Sequence, residues 1–206
     1  MTFPDKKYPS VADFADAYFD RLGAAAKSVD RGRLAAAAKL LETAYAGGAQ
    51  VFACGNGGSA AISNHLVCDH VKGIQTDTDL VPRVHSLSAN IEILTAIAND
   101  ISYADVFVYQ LRSYARKGDV LITVSSSGDS ENVVRAADWA KANGLKVIAM
   151  TGFAGGRTAA LADVDLHVAG DNYGVIEDVH QSLMHILAQF PRQARMSEDL
   201  VKQRKF

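Results

Sequence analysis

Two stretches rich in glycine and hydroxyl residues are the first candidates for chemistry. The glycine turn, Gly55–Ser59, follows the apolar run Val51–Cys54, and the serine loop, Ser125–Ser130, follows the apolar run Val120–Val124. A turn of this kind between a buried strand and a helix exposes backbone N–H groups, which bind phosphate at the positive end of the helix dipole. Hydroxyls and amides can therefore hold a phosphate without Lys or Arg.

Each stretch also has a simpler interpretation. The glycine turn could need glycine only for its backbone dihedrals, and Asp129 or Ser130 could serve only as a helix N-cap. Capping explains one such residue and leaves most of the hydroxyls of the serine loop unexplained. We therefore expect the serine loop to be the main phosphate site and the glycine turn to form the wall that faces the rest of the ligand.

Histidines and carboxylates at helical spacing form the second candidate group. His65 and Asp69 lie four residues apart after the glycine turn, which places both side chains on one face of a helix. Such a pair can bind a metal or act as an acid–base pair; a hydrogen-bonded pair at the surface is the simpler alternative. Glu177 and His185 lie on the last predicted helix. Because His185 stands between two apolar residues, we expect it to be buried and partnered, as a core histidine or as a catalytic one.

From residue 50 onward, short apolar runs alternate with helical patterns, which predicts a parallel sheet covered by helices on both faces. The predicted strands are Gln50–Cys54, Arg83–Leu87, Val120–Ser125, Lys146–Thr151 and Val164–Val168. The predicted helices between and after them span 59–71, 90–98, 103–116, 131–142 and 175–190. Because ligands bind beyond the carboxyl ends of such strands, the glycine turn and the serine loop should meet at one edge of the sheet.

Two further helices are predicted before the first strand. Apolar residues recur at helical spacing from Ser10 to Val29, where Ser10 is the expected N-cap, and again from Arg31 to Tyr45. Asp30 is the expected N-cap of the second helix, and Gly47-Gly48 should end it. These helices could form an interface with another subunit, which we favour, or could simply cover the sheet of their own chain.

Composition excludes several functional classes. The chain has 206 residues, enough for one domain, with a formal net charge of −2 and no cluster of Lys and Arg, so we expect no nucleic-acid binding. No apolar stretch approaches the ~18 residues of a membrane span. The first residues lack the apolar region of a signal peptide, so we expect a cytoplasmic protein. Cys54 and Cys68 lack the spacing of a zinc or disulfide motif, and the polar connection Lys72–Val81 is a candidate mobile loop.

The order and spacing of these motifs resemble the sugar isomerase (SIS) domain, and within it the phosphoheptose isomerases. The matching stretches are Gly55–Ser59, His65, Asn99-Asp100, Gly118–Leu121, Ser125–Ser130, Thr151-Gly152 and Gly155-Gly156. The resemblance implies a three-layer α/β/α sandwich with a five-stranded parallel sheet, flavodoxin-like, preceded by two helices. It implies one SIS domain over residues 1–206, with 1–48 for oligomer contacts, 49–190 as the α/β core and 191–206 as a tail. It also implies a homotetramer with sites between subunits.

The resemblance also assigns roles to residues. It implies a set that binds the sugar phosphate: Asn56, Gly57, Gly58, Ser59, Asn99, Asp100, Ser125, Ser126, Ser127, Ser130 and Glu177. It implies catalysis by Asp69 as base and His185 as acid. As in some members of the family, it implies zinc bound by His65, Asp69, Glu177 and His185, and it implies no nucleotide cofactor. Asp69 and Glu177 depart from the family, which has Glu and Gln there, and Gly174 stands where an acidic residue is usual.

The activity that the resemblance implies is the isomerisation of sedoheptulose 7-phosphate to D-glycero-D-manno-heptose 7-phosphate, in the synthesis of heptose precursors of lipopolysaccharide. Two alternatives stay open: an isomerase or epimerase of another sugar phosphate, and a non-catalytic regulatory protein. The second alternative comes from Leu94–Asp100, which is similar to a branch of the family that binds the replication initiator protein. That branch lacks the catalytic His and acid, whereas His65, Asp69 and His185 are present here.

Overall fold

A five-stranded sheet lies at the centre of the computed structural model, which describes residues 2–206. The strands are β1 (Gln50–Cys54), β2 (Arg83–Ser86), β3 (Val120–Val124), β4 (Lys146–Thr151) and β5 (Val164–His167). Their order is β2-β1-β3-β4-β5, and every neighbouring pair is parallel. The predicted fold class, a five-stranded parallel sheet between helices, is confirmed.

Nine α-helices accompany the sheet in the described part of the chain. They are α1 (Val11–Ser28), α2 (Arg31–Ala46), α3 (Gly58–Cys68), α4 (Ile91–Asp100), α5 (Val108–Tyr114), α6 (Glu131–Ala142), α7 (Gly156–Leu161), α8 (Tyr173–Ala194) and α9 (Glu198–Gln203). The predicted caps are present: the Ser10 side chain accepts a hydrogen bond from the N–H of Asp13, and the Asp30 carboxylate accepts from two N–H groups of α2. Among the helices of residues 2–206, none is long and apolar enough to cross a membrane.

The sheet separates two apolar layers. Val51 and Ala53 of β1 share a cluster with residues of α1, α2, α3 and α8, whereas Phe52 and Cys54 share the other cluster with residues of α4, α5 and α6. Successive strand residues point to opposite faces, and both faces of β1 are buried. The continuous apolar runs of the sequence follow from this double burial.

Some boundaries differ from the predicted ones. The helix predicted over 103–116 is divided into a 3₁₀ turn, Tyr103–Asp105, and α5, because Val106 and Phe107 turn into the core between them. α7 and α9 were not predicted, and both are only six residues long. α8 continues through Pro191 to Ala194, so the predicted boundary between core and tail falls inside a helix.

The polar connection Lys72–Val81 begins in a helical turn of π type, Asp69–Ile74, which continues α3. Asp77 then accepts ion-pair hydrogen bonds from Arg192 at 3.2 Å and from Arg204 at 3.0 Å. These contacts connect the segment to the end of α8 and to the chain after α9.

α1 and α2 both contact α8 and contribute to the same core cluster as β1 and β3. α2 therefore covers the sheet of its own chain through contacts with β1 and β5, as the simpler alternative required, and α1 packs on α8. α1 also leaves two large apolar side chains exposed, Val11 at 85% and Phe19 at 65% of their surface. The expected subunit interface remains a prediction for this outer face.

His180 gives a prediction about stability and pH. Its imidazole is buried on α8 with Nε2 3.1 Å from the Thr151 carbonyl oxygen. Burial lowers the pKa of His180 from 6.5 to about 4, although the bond to Thr151 opposes the shift. Since the unfolded chain binds this proton more readily, the contribution to stability is complete above about pH 6.5 and is lost as the pH falls toward 4.

We therefore predict that the free energy of unfolding is lower at pH 5 than at pH 7 by on the order of 2 kcal/mol because of His180 alone. Denaturant unfolding at both pH values measures this difference. The variant His180→Asn should show a smaller loss than wild type, whereas His85→Gln, at an exposed position, should match wild type. An equal loss in wild type and His180→Asn would contradict the prediction.

Candidate functional site

The register of the sheet brings the two candidate stretches together. Cys54 at the end of β1 lies opposite Thr123 near the end of β3, so the glycine turn and the serine loop leave the sheet side by side. Within the glycine turn, Gly58 is closely covered by Glu177 of α8: a Cβ at Gly58 would collide with that carboxylate. The absence of a side chain at Gly58 leaves the space that the Glu177 carboxylate occupies beside the start of α3.

The serine loop is held in shape by the loop that follows β4. Gly128 has a positive φ of 62°, and a Cβ there would collide with the carbonyl oxygen of Gly155. The Gly128 carbonyl accepts hydrogen bonds from the N–H of Thr158 at 2.9 Å and from its hydroxyl at 3.0 Å. The Gly152 N–H donates to the Ser126 carbonyl at 2.8 Å. The hydroxyls of the loop are therefore presented on a rigid backbone.

A cleft of about 160 Å³ opens between the two stretches. It is lined by Asn56, Ser59, Val124, Ser125, Ser126, Ser127, Ser130, Tyr173 and Glu177. In the described chain no Lys or Arg lines it. The Ser126 hydroxyl is buried and has no hydrogen-bond partner within residues 2–206, and Ser130 stands at the start of α6 without using its side chain as a cap. The Ser126 hydroxyl thus has unused bonding capacity and the Ser130 hydroxyl is free of a capping role, while Gly57 and Gly58 shape the turn beside the cleft.

Asn56 is held by residues that the sequence analysis did not identify. Its amide forms a reciprocal pair with the amide of Asn132, with both N–O distances 2.9 Å, and its oxygen also accepts from the Tyr103 hydroxyl at 2.8 Å. Asn132 is almost fully buried. The sequence signal that could have identified Asn132 was its position, as a polar residue in the first turn of the helix after the serine loop.

Asn99 and Asp100 do not join this cleft. Both are exposed at the end of α4, where the Asn99 amide donates to the Asp100 carboxylate at 2.7 Å, and neither lines the cleft described above. Their predicted contact with substrate stays a prediction.

The histidine cluster consists of His65, Asp69 and His185. One ligand atom from each side chain lies within 4.8 Å of the others. His65 Nε2 is 3.3 Å from Asp69 Oδ1, and His185 Nδ1 is 2.6 Å from Asp69 Oδ2. The expectation that His185 is partnered holds, but the expectation that it is buried was wrong, since 37% of its side chain is exposed. The predicted fourth ligand, Glu177, lies outside this cluster and lines the serine cleft instead.

Gln181 is the main site residue that the sequence analysis missed. Its amide nitrogen lies 2.9 Å from His65 Nδ1 and 3.1 Å from His185 Nε2. Gln181 precedes His185 by four residues on α8, and this spacing on one helical face was the signal that could have found it.

Tyr18 of α1 lies against the glycine at position 174. A Cβ at Gly174 would lie 2.9 Å from the Tyr18 hydroxyl oxygen, so this hydroxyl occupies the space beside α8. The hydroxyl donates to Asp178 at 2.6 Å, and burial together with this bond raises the pKa of Tyr18 to about 12. Burial also raises the pKa of Glu177 nearby, with the charge of Asp178 adding to the shift.

The model of the SIS domain family matches residues 15–152. The chain belongs to the SIS domain family. This SIS domain is 40% identical to a phosphoheptose isomerase of Mycobacterium tuberculosis over 145 residues, which cover 70% of this chain and 74% of that protein. It is 35% identical to the phosphoheptose isomerase of Nitratidesulfovibrio vulgaris over 172 residues, covering 84% of this chain and 78% of the relative.

A solved structure of phosphoheptose isomerase from Neisseria gonorrhoeae superimposes with a TM-score of 0.82. It is 31% identical in sequence, and the superposition covers 89% of this SIS domain and 100% of the other chain.

Gly128 provides a test of the serine loop. We predict that Gly128→Ala costs about 1–3 kcal/mol of stability, because a residue with a side chain is strained at this φ and collides with Gly155. The displaced hydroxyls should also lower kcat/KM for a phosphorylated substrate by about 10- to 100-fold. Gly23→Ala is the matched control, since it lies in α1 with no atom within 4 Å of the added Cβ. Equal kinetics in the two variants would show that the loop geometry does not matter.

Proposed function

We propose that this SIS domain is an aldose–ketose isomerase that converts sedoheptulose 7-phosphate to D-glycero-D-manno-heptose 7-phosphate. The observation that carries the proposal is the cleft itself: a hydroxyl-lined pocket at the carboxyl edge of the sheet. An acid–base cluster lies on α3, on the π-type turn that continues it, and on α8. Its relatives of 35–40% identity are phosphoheptose isomerases, which supports this substrate.

In this proposal the serine loop binds the phosphate. The hydroxyls of Ser125, Ser126, Ser127 and Ser130 and the N–H groups at the start of α6 donate to its oxygens, and the dipole of α6 favours its negative charge. Asn56, Ser59 and Glu177 line the same cleft and would bind sugar hydroxyls. The side chain of Asn56 is already oriented by its hydrogen bonds with Asn132 and Tyr103 before a ligand binds.

Asp69 and His185 would move the proton. The carboxylate of Asp69 removes the proton from C1 of the ketose, and the electron pair of that C–H bond forms the C1–C2 double bond of an enediol. His185 donates a proton to the carbonyl oxygen at C2 as this happens. Return of a proton to C2 and loss of the hydroxyl proton at O1 then give the aldose, so the substrate and product have the same atoms.

The histidine cluster also fits a divalent metal, as an alternative to the acid–base roles, because a carboxylate fully engaged as a metal ligand is not a free base. Two imidazoles and one carboxylate match the three protein ligands of catalytic zinc sites, which keep a further position open. A bound zinc would act as a Lewis acid that polarises the sugar oxygens. His65, Asp69 and His185 would hold it, and Glu177 would serve as a further ligand only if it moved toward them from the cleft.

Activity assays separate this proposal from a regulatory role. With sedoheptulose 7-phosphate, in the presence and absence of zinc, the wild-type protein should form the aldose. Asp69→Asn and His185→Ala should lower kcat about 10²- to 10⁴-fold, the usual contribution of a positioned acid or base. Ser182→Ala, on the exposed side of α8, is the control. Wild-type turnover in either catalytic variant would refute the assigned roles, and an inactive wild-type protein would refute the function.

We also propose that the protein assembles as a homotetramer through the outer face of α1. Phe19→Asp places a charge in the exposed apolar face of that helix and should shift the particle mass, measured by light scattering, to a smaller assembly. Lys27→Asp, an exposed charge change on the same helix, should leave the mass unchanged. An unchanged mass in Phe19→Asp would exclude this face as the interface.

A further inference from the structure

We propose that Gln181 is a positioning residue that determines which nitrogen of His65 and of His185 faces Asp69. The inference deepens the proposed function, because it concerns the same histidine cluster. It comes from a closed ring of four polar contacts that runs from Asp69 to His65, to Gln181, to His185 and back to Asp69.

The contacts of the ring are compatible with one arrangement of the imidazole protons. A side-chain amide nitrogen carries two hydrogens, so Gln181 can donate to both outer imidazole nitrogens, Nδ1 of His65 and Nε2 of His185. Each outer nitrogen must then be unprotonated, which leaves the protons on His65 Nε2 and His185 Nδ1. Both of these inner nitrogens face the Asp69 carboxylate, which only accepts. His185 Nδ1 can thus donate to Asp69 at 2.6 Å, whereas His65 Nε2 lies 3.3 Å from the other carboxylate oxygen, at ion-pair distance.

The Gln181 amide can also support the opposite arrangement of protons, in which each imidazole is protonated on its outer nitrogen. If a divalent cation binds to the inner nitrogens, these must be unprotonated, and each imidazole then carries its proton on the outer nitrogen. Those two N–H groups need an acceptor, and ligating histidines usually donate their second N–H in this way. Rotation of the Gln181 amide presents its oxygen, whose two lone pairs can accept both bonds. An amide therefore supports both states of the cluster.

Other polar residues of α8 are engaged elsewhere. Asp178 binds the Tyr18 hydroxyl, His180 is buried against the Thr151 carbonyl, and Glu177 lines the serine cleft. Gln181 is half-buried and lies one turn before His185, where it also reaches across to His65 on α3. Its place between the two helices is what connects the two imidazoles.

Substitutions separate these bonding capacities. Leu has a similar volume and neither donates nor accepts, so Gln181→Leu should orient neither imidazole. Glu accepts but does not donate when ionised, so Gln181→Glu should retain the cation-bound arrangement. Gln189→Leu removes an exposed glutamine on the same helix and is the matched control.

The experiment titrates metal-free protein with zinc against a chromophoric chelator, with no substrate present. Gln181→Leu should bind zinc about 10- to 100-fold more weakly than wild type, the usual cost of losing the partner of a ligating histidine. Gln181→Glu and Gln189→Leu should bind at least as tightly as wild type. Thermal unfolding of each metal-free variant verifies that it folds.

Equal zinc affinity in Gln181→Leu and wild type would overturn the proposal, and so would a wild-type protein that binds no zinc. Weaker binding in both Gln181→Leu and Gln181→Glu would overturn the role of the amide as an acceptor. Because the titration contains no sugar phosphate, an inactive wild-type enzyme that shows the expected order of zinc affinities would refute the proposed reaction and leave the role of Gln181 standing.

Discussion

The contact between α8 and α3 is the interaction on which both parts of the site depend. Leu66 of α3 and Met184 of α8 are fully buried in one cluster, and the packing of α3 against α8 fixes how the polar faces of the two helices meet. At one end of the contact, the Glu177 carboxylate lies against Gly58, where a side chain would collide with it. One and two turns further along α8, Gln181 and His185 meet the end of α3. A shift of α8 along its axis would therefore change the cleft and the histidine cluster together.

Because no Lys or Arg of the described chain lines the phosphate site, the serine loop must be rigid to bind phosphate well. The arginines nearest the serine loop, Arg135 and Arg157, are already paired with Asp105, Asp129 and Glu131, and these exposed pairs contribute little to stability individually. The phosphate must then be held by hydroxyls, N–H groups and the helix dipole, which act only at short range and with good geometry. This is why the contact of Gly128 with Gly155, remote from the sugar, bears on substrate binding.

The sequence predicted those parts of the structure that depend on local physics. Doubly buried parallel strands must be continuously apolar, so Val120–Val124 identified β3, and Ser10 and Asp30 identified helix starts through their own hydrogen bonds. The prediction that His185 is buried was wrong because its sequence neighbours point about 100° away around the helix. The surroundings of a helical side chain are determined by residues one turn away. Gln181 and Asn132 were missed because their roles depend on which helices meet, and that follows from the fold as a whole.

Charge connects the two parts of the site. Glu177 and Asp69 are both acidic, and in the described chain the cleft has no Lys or Arg to offset them, so an incoming phosphate and Glu177 repel each other. Burial raises the pKa of Glu177, which favours its neutral form and reduces that repulsion. A divalent cation on His65, Asp69 and His185 would act in the same direction, since it adds positive charge beside α8.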